Sequence, residues 1–214
     1  MSVLITGASR GIGAALLEHY RDIGKAAFGT ARNPSGDLLP LDVTLPQSHQ
    51  ALALRLNGLP IDLLVCNAGI YSDKGQTLDT GYRTALWSQS FATNVTGVFL
   101  TIQSLLPNLR AAKGKIAIIS SAMGSDERAP GGSYIYRASK AAALNLGRNL
   151  ATDLRAEGIA VGIYHPGWVK TDMGGPGAEI SLAQSVSGLA ARLAALDIST
   201  TGCFESYDGT QIPF

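Results

Sequence analysis

Eight residues near the start of the chain, Thr6-Gly7-Ala8-Ser9-Arg10-Gly11-Ile12-Gly13, constrain the fold more than any other stretch. They follow a short apolar run, Val3-Leu4-Ile5. They lead into Ile12, Ala15, Leu16, His19 and Ile23, which recur at helical spacing up to a stop at Gly24. A strand that turns into a helix through three glycines lets other groups approach the main chain, because glycine has no Cβ and tolerates positive φ. The free N–H groups and the dipole at the start of the helix then favour an anion such as a pyrophosphate. A tight turn with no ligand is the plainer alternative. The GxxxGxG spacing departs from the GxGxxG of the usual dinucleotide fingerprint, but strand and helix lie on the sides that a dinucleotide site requires.

The rest of the chain repeats this alternation. Strands are expected at Ala26 to Thr30, Leu38 to Val43, Ile61 to Cys66, Ile116 to Ser120 and Ile159 to Tyr164, with a short last strand around Cys203 and Phe204. Thr44-Leu45-Pro46-Gln47 reads as a capping box opening a helix to about Asn57, and Ser181 to Gln184 as a second one. A long helix carries Val95, Val98, Phe99, Ile102, Leu105, Leu106 and Leu109 on one stripe, and another runs from Tyr134 to Arg155. A later helix turns Leu182, Val186, Leu189, Leu193 and Leu196 inward. Asp208-Gly209 is a turn signal. No repeat, charge run or linker divides the chain. The expectation is one α/β domain over residues 1–214, a doubly wound Rossmann-type fold with a mostly parallel seven-stranded sheet and helices on both faces.

Composition narrows the function classes. Over 214 residues, 46% are hydrophobic and 15% charged, enough for one core and far from a disordered profile. Seventeen Lys and Arg against sixteen Asp and Glu leave a net charge of +1, so no nucleic-acid partner or anionic membrane is expected. No signal peptide and no window near the ~18 apolar residues of a membrane span is evident, which predicts a cytoplasmic protein. Cys66 and Cys203 read as reduced thiols rather than a disulfide. His19, His49 and His165 show no metal-ligand spacing, so no metal is expected.

The second strand bears on the cofactor. An NAD site places a carboxylate about 20 residues past the glycines. Here Phe28-Gly29-Thr30-Ala31-Arg32-Asn33 offers none before Asp37. Arg32 and Arg10 could instead clamp a 2′-phosphate, which guanidinium suits, or they could be ordinary solvated arginines. NADP(H) is thus favoured over NAD(H).

Tyr136 and Lys140, at i and i+4, share a helix face. With TGASRGIG at Thr6 to Gly13, Asn67-Ala68-Gly69, Asn94 in ATNVTG, Ser121 in IISSAMG and Pro166-Gly167 in HPGWVKTDM, the chain resembles the classical short-chain dehydrogenase/reductase family along essentially its whole length. The phrases YRASKAAALNL, PGWVKTDMGG and YDGTQIPF look most like C-factor and sniffer-type carbonyl reductases. The resemblance implies a catalytic set of Asn94, Ser121, Tyr136 and Lys140. It implies a cofactor site of Gly7, Ser9, Arg10, Gly11, Ile12, Gly13, Arg32, Asp42, Val43, Asn67, Ala68, Gly69, Tyr136, Lys140, Pro166, Gly167, Val169 and Thr171. Asp42 would reach the adenine and Thr171 the nicotinamide carboxamide, although each could be a turn or cap residue. A homodimer or homotetramer through the helices carrying Asn94 and Tyr136 is also implied.

The chemistry the resemblance implies is hydride transfer to an aldehyde or ketone, a small-molecule carbonyl substrate. The alkoxide that forms must be protonated. A tyrosine ionises near pH about 10, so a neighbouring ammonium at Lys140 would lower that value and hold the nicotinamide ribose. Ser121 would donate to the substrate oxygen, with Ser120 as the competing choice. Asn94 would hold a water in a proton relay. Trp168 and Met173 would line the entrance or simply pack. Epimerase and dehydratase relatives usually carry a substantial C-terminal substrate domain, for which this chain leaves little room. An NADP(H)-binding sensor or signalling protein of the C-factor type is the non-enzymatic alternative; it needs the glycine turn but not the Tyr136–Lys140 pair.

Overall fold

A computed structural model describes residues 1–214. Seven strands form one sheet in the order β3-β2-β1-β4-β5-β6-β7. They are β1 Ser2–Ile5, β2 Ala26–Ala31, β3 Leu39–Pro40, β4 Leu63–Cys66, β5 Lys115–Ile119, β6 Ala160–His165 and β7 Phe204–Ser206. Every ladder is parallel, where a mostly parallel sheet was expected. The central strands are apolar throughout because both faces are covered: Leu63 to Cys66 are all buried. Chain order reverses between β1 and β4, whose register pairs Ile5 with Val65, and this switch point opens a crevice at the carboxyl ends of the strands.

Helices α1 Gly11–Asp22 and α6 Leu182–Ala195 cover one face. There Leu16, Leu17, Tyr20, Val186, Leu189 and Leu193 pack on Val3, Ile5, Leu63, Val65 and Ala117. Helices α2 Pro46–Leu56, α4 Gly97–Ala112 and α5 Tyr134–Leu154 cover the other, over Leu4, Leu64, Cys66, Ile116 and Ile118. Helix α3, Thr84–Phe91, leads into α4. No helix is long and apolar enough to cross a membrane. Cys66 and Cys203 are free thiols, and burial pushes Cys66 up to about 12.

Four local readings change. The third strand stops at Pro40 instead of Val43, because Asp42 folds back to accept hydrogen bonds from Thr44 N (2.9 Å) and Thr44 Oγ1 (2.7 Å). The same turn cancels the expected capping box at Thr44. Leu45 becomes the N-cap with no side-chain bond, and Pro46 opens α2 where a missing N–H costs nothing. The Ser181–Gln184 box does form, with both reciprocal bonds present. In α1 the buried stripe is Gly13, Leu16, Leu17 and Tyr20, while Ile23 is 51% exposed at the C-cap. The expected single helix through Val95 is interrupted by a π-turn, Ala92–Thr96, after which Val98, Ile102, Leu105 and Leu109 point inward and Phe99 faces out.

Candidate active site

The glycine turn joins β1 to α1 at the switch point. Gly7 and Gly11 adopt φ of +67° and +58°, conformations that side chains rarely take. A Cβ on Gly7 would lie 2.8 Å from Ala68 Cα, and one on Gly13 would lie 2.3 Å from Gly7 O and 2.5 Å from Asn67 Nδ2. The turn is thus pressed against the end of β4. Asn67 stitches the two together, donating from Nδ2 to Thr6 O (3.0 Å) and Gly7 O (3.1 Å). Thr6 Oγ1 accepts from Asn67 N and Ala68 N. Gly11, by contrast, faces open space with only Thr171 Cγ2 nearby, at 3.7 Å from where a Cβ would sit. The first turn of α1 carries no acidic residue, and its N-cap Arg10 makes no capping bond. These free N–H groups, beside the half-buried Ile12 and the exposed Ser9, suit an anion.

The other wall follows β6. Gly167 turns at φ +86°, and a Cβ there would strike Ile180 Cδ1 at 2.4 Å. Pro166 O accepts from Ser185 Oγ at 2.6 Å, and buried Val169 bridges to Ile180. Thr171 Oγ1 donates to Val169 O and accepts from Gly174 N, so it caps its own loop while lying beside the glycine turn. Trp168 and Met173 are 49% and 42% exposed on this loop. Trp168 Nε1 donates to Gly174 O at 3.0 Å, so Trp168 is fastened to the loop it sits on.

At the end of β2, Arg32 is exposed and has no hydrogen-bond partner, whereas Arg10 pairs with Asp172. Asp37, the first carboxylate after β2, is bound by Arg21 Nη2 at 2.6 Å. Asp42 is occupied by Thr44, which holds its carboxyl below the usual range. Neighbouring Val43 packs its carbonyl and side chain at the start of α4, where Gly97 leaves no room for a Cβ.

Tyr136 is buried in the first turn of α5. The Ser121 hydroxyl lies close enough to favour ionisation of its phenol, and Ser121 Oγ accepts from Met123 N at 3.1 Å. Ser120 faces elsewhere and donates to Lys140 O at 3.0 Å. Strand alternation thus separates the two serines, and Ser121 is the one beside Tyr136. Lys140, one helical turn on, donates to Ile119 O at 2.9 Å with Nζ 5.6 Å from the Tyr136 ring centroid. Gly69 lies over the same spot: a Cβ there would come within 3.3 Å of Asn94 Oδ1 and 3.5 Å of Lys140 Nζ.

Electrostatics depart from the sequence-based expectation. Burial pushes the Tyr136 phenol up to about 12, opposed by the Ser121 hydroxyl and reinforced by Tyr71 and Asp73. Burial also pulls Lys140 down to about 8. Desolvation thus outweighs the lowering expected at Tyr136 from a nearby ammonium. Asn94 is tied to its neighbours. Its Oδ1 accepts from Ile70 N, and its Nδ2 donates to Ile70 O and Ser139 Oγ, so both ends of the side chain are committed. It stands in the π-turn, an irregularity that often marks functional positions. Nothing in the apolar periodicity around Asn94 signals the π-turn.

Sequence reasoning missed Tyr71 and Asp73. Tyr71 stacks on Tyr136 with centroids 4.2 Å apart. Asp73, fully buried, accepts from Ile135 N at 2.8 Å and Tyr136 N at 3.2 Å. His165, read from the sequence only for its lack of ligand spacing, stands at the end of β6 with Nδ1 buried and without a partner, and burial pulls its imidazole down to about 4.

Comparison with known proteins agrees with this geometry. Residues 1–179 match the family described as short chain dehydrogenase. The C-signal protein of Myxococcus xanthus is 38% identical over 157 residues, 72% of this chain and 93% of that protein. An NADPH-bound carbonyl reductase from chicken fatty liver superimposes with a TM-score of 0.90 at 33% identity, covering 100% of this chain and 98% of that one. The carbonyl reductase Sniffer of D. melanogaster gives 0.93 at 27% identity, covering 100% and 99%. On its sequence match, its sheet order and its glycine turn, the chain belongs to the short-chain dehydrogenase family of oxidoreductases.

Proposed function

We propose that this protein is an NADPH-dependent reductase of small aldehydes or ketones in which Tyr136 is the proton donor. The observation that carries the reading is the convergence of the Tyr136 hydroxyl, Ser121 and buried Lys140 beside Gly69, at the mouth of the glycine-turn crevice. The free N–H groups of the first turn of α1 and the open face of Gly11 fit a pyrophosphate. Unpartnered Arg32 fits a 2′-phosphate better than a ribose hydroxyl, since both nearby carboxylates are engaged by other groups. Similarity to a carbonyl reductase solved with NADPH supports the same choice.

When bound, the dinucleotide supplies a hydride to the carbonyl carbon. The chain's task is the oxygen. Ser121 Oγ donates to it and stabilises the developing negative charge. Tyr136, with its phenol near 12, is fully protonated at neutral pH and delivers its proton to that oxygen. The raised value also makes the phenol a weaker acid, which Ser121 and the Lys140 ammonium offset as the proton leaves. The phenolate left behind is stabilised by Ser121 and the Lys140 ammonium. Lys140, near 8, can pass on a proton close to neutrality. Asn94 braces this centre by tying the π-turn to Ile70 and to Ser139 on α5. A water linking Lys140 to solvent would meet Asn94 at its main chain, since both ends of the side chain are engaged.

NADPH consumption at 340 nm over a panel of small aldehydes, ketones and quinones tests the reading, with Tyr136→Phe alongside. Turnover lost by at least about 10²-fold in the variant is expected; Tyr136→Phe at wild-type rate would refute it. The 38% identity to C-signal favours a second reading, an NADP(H)-binding signalling protein with little turnover. NADPH binding without consumption of any carbonyl, together with capture of a partner only when NADPH is present, would favour that one.

A further inference from the structure

Asp73 presents a physical puzzle. Its side chain is wholly buried, and it forms no ion pair with any Lys or Arg. An uncompensated buried carboxylate is expensive. The compensation here comes from the start of α5: two N–H donors, from Ile135 and Tyr136, and the positive end of a 21-residue helix.

Helix α5 does not cap itself. Ser133 stands at its N-cap, a position where serine normally accepts from the second or third residue of the helix. Instead Ser133 takes φ +49° and makes no capping bond, and its Oγ pairs with the Tyr71 hydroxyl. The lead-in, Gly131 and Gly132, has positive φ at both glycines and restrains little. Tyr136 is the third residue of this helix, inside the turn whose N–H groups have no intrahelical acceptor and which frays first. The acceptor arrives from more than sixty residues away, on the segment that also stacks Tyr71 on the Tyr136 ring.

We propose that Asp73 is a positioning residue for Tyr136: its carboxylate caps α5 from the β4–α3 segment and fixes the first helical turn, so that the phenol stays on Ser121. The proposal rests on the reading of Tyr136 as proton donor. The ionisable groups facing Tyr136 are Lys140 on its own helix and Tyr71 and Asp73 from the opposing segment, with the Ser121 hydroxyl beside it. Asp73 itself also faces Tyr82, which packs edge-on against Tyr134 at 5.3 Å. Removing the Asp73 charge takes away an influence that raises the Tyr136 phenol, so the alkaline limb of the reaction must move to lower pH.

Asp73→Ala and Asp73→Asn in the full chain separate positioning from packing. In Asp73→Ala, amide hydrogen exchange at Ile135 and Tyr136 accelerates by about tenfold. Its kcat falls by about 10²-fold, the loss expected for a misplacement of about 1 Å, while NADPH binding by fluorescence titration holds within about threefold. Asp73→Asn, which keeps one acceptor, recovers kcat to within about tenfold of wild type, and its alkaline limb still moves down. Wild-type kcat in Asp73→Ala, or an unmoved limb in Asp73→Asn, would overturn the proposal. If Asp73→Ala does not fold, amide exchange at Ile135 and Tyr136 in Asp73→Asn decides, and an unchanged rate there refutes the cap. Absence of turnover in the wild type would count against the reductase reading instead, and unchanged exchange at Ile135 and Tyr136 in Asp73→Ala would still refute the cap.

Discussion

Gly13→Ala is the sharpest test of how the crevice is built, because simple rules give the opposite answer. Gly13 lies inside α1, outside the glycines with positive φ, so propensity alone has alanine stabilising by about 1 kcal/mol. The surroundings forbid it. The new Cβ would stand 2.3 Å from Gly7 O, and that carbonyl must retreat about 0.7 Å merely to reach the 3.0 Å below which real Cβ contacts essentially never fall. Asn67 Nδ2, at 2.5 Å, must move as well, and it carries the bonds to Thr6 O and Gly7 O. Overpacking at about 1–3 kcal/mol and weakening of two hydrogen bonds at about 1 kcal/mol each outweigh the helix gain. The net expectation is a loss of about 2–4 kcal/mol, or roughly 5–15 °C in Tm for a chain of this size. Urea unfolding measures the first figure, and NADPH fluorescence titration should show binding weakened by at least about tenfold as the turn opens. Gly11→Ala is the control: despite its φ of +58°, it meets only Thr171 Cγ2 at 3.7 Å and should lose only about 1–2 kcal/mol of backbone strain. Gly13→Ala with wild-type stability, or less damaging than Gly11→Ala, would refute the packing argument.

Other outcomes follow from the same contacts. Ser121→Ala should lower kcat by about 10²-fold with NADPH affinity unchanged, whereas Ser120→Ala, which loses only a bond to Lys140 O, should act on Tm and not on kcat; equal kcat losses would contradict the assignment. Arg32→Ala should weaken NADPH about tenfold or more while leaving NADH affinity unchanged, by competitive titration. Asp172→Asn frees Arg10 and should tighten NADPH or leave it unchanged, never weaken it. Lys140 supplies a pH signature. Its folded value, about 8, lies below its unfolded value, so between about pH 8 and 10.5 the unfolded chain binds more protons and stability rises with pH. Lys140→Met should lack that rise, worth at most about 3 kcal/mol; parallel stability–pH curves for the two proteins would sink it.

The parts of this molecule legible in the sequence are those set by local pattern. The buried strand Leu63–Cys66, the strand–turn–helix at Gly7 and the capping box at Ser181 each declare themselves within a few residues, because burial, positive φ and an N-cap are demands met locally. Readings failed where a residue had two possible partners and the sequence could not rank them. Thr44 looked like a cap, but Asp42 two residues earlier offered it a closer acceptor. The start of α5 carries no local cap at all: Tyr71 takes the Ser133 hydroxyl, and Asp73, more than sixty residues away, holds the helix end. Arg10, expected at a 2′-phosphate, is paired with Asp172, a contact that no single stretch of sequence announces. Tyr136 carries the same lesson in its charge state. The i, i+4 spacing to Lys140 was plain, yet spacing does not report burial, and burial moves both groups against the simple ion-pair picture. The result is a centre in which the acid is held protonated and its cation held near neutrality. Both depend on how tightly the Asn67–Asp73 segment and the first turn of α5 close over Gly69, so the chemistry is read from contacts between distant segments and not from the motif alone.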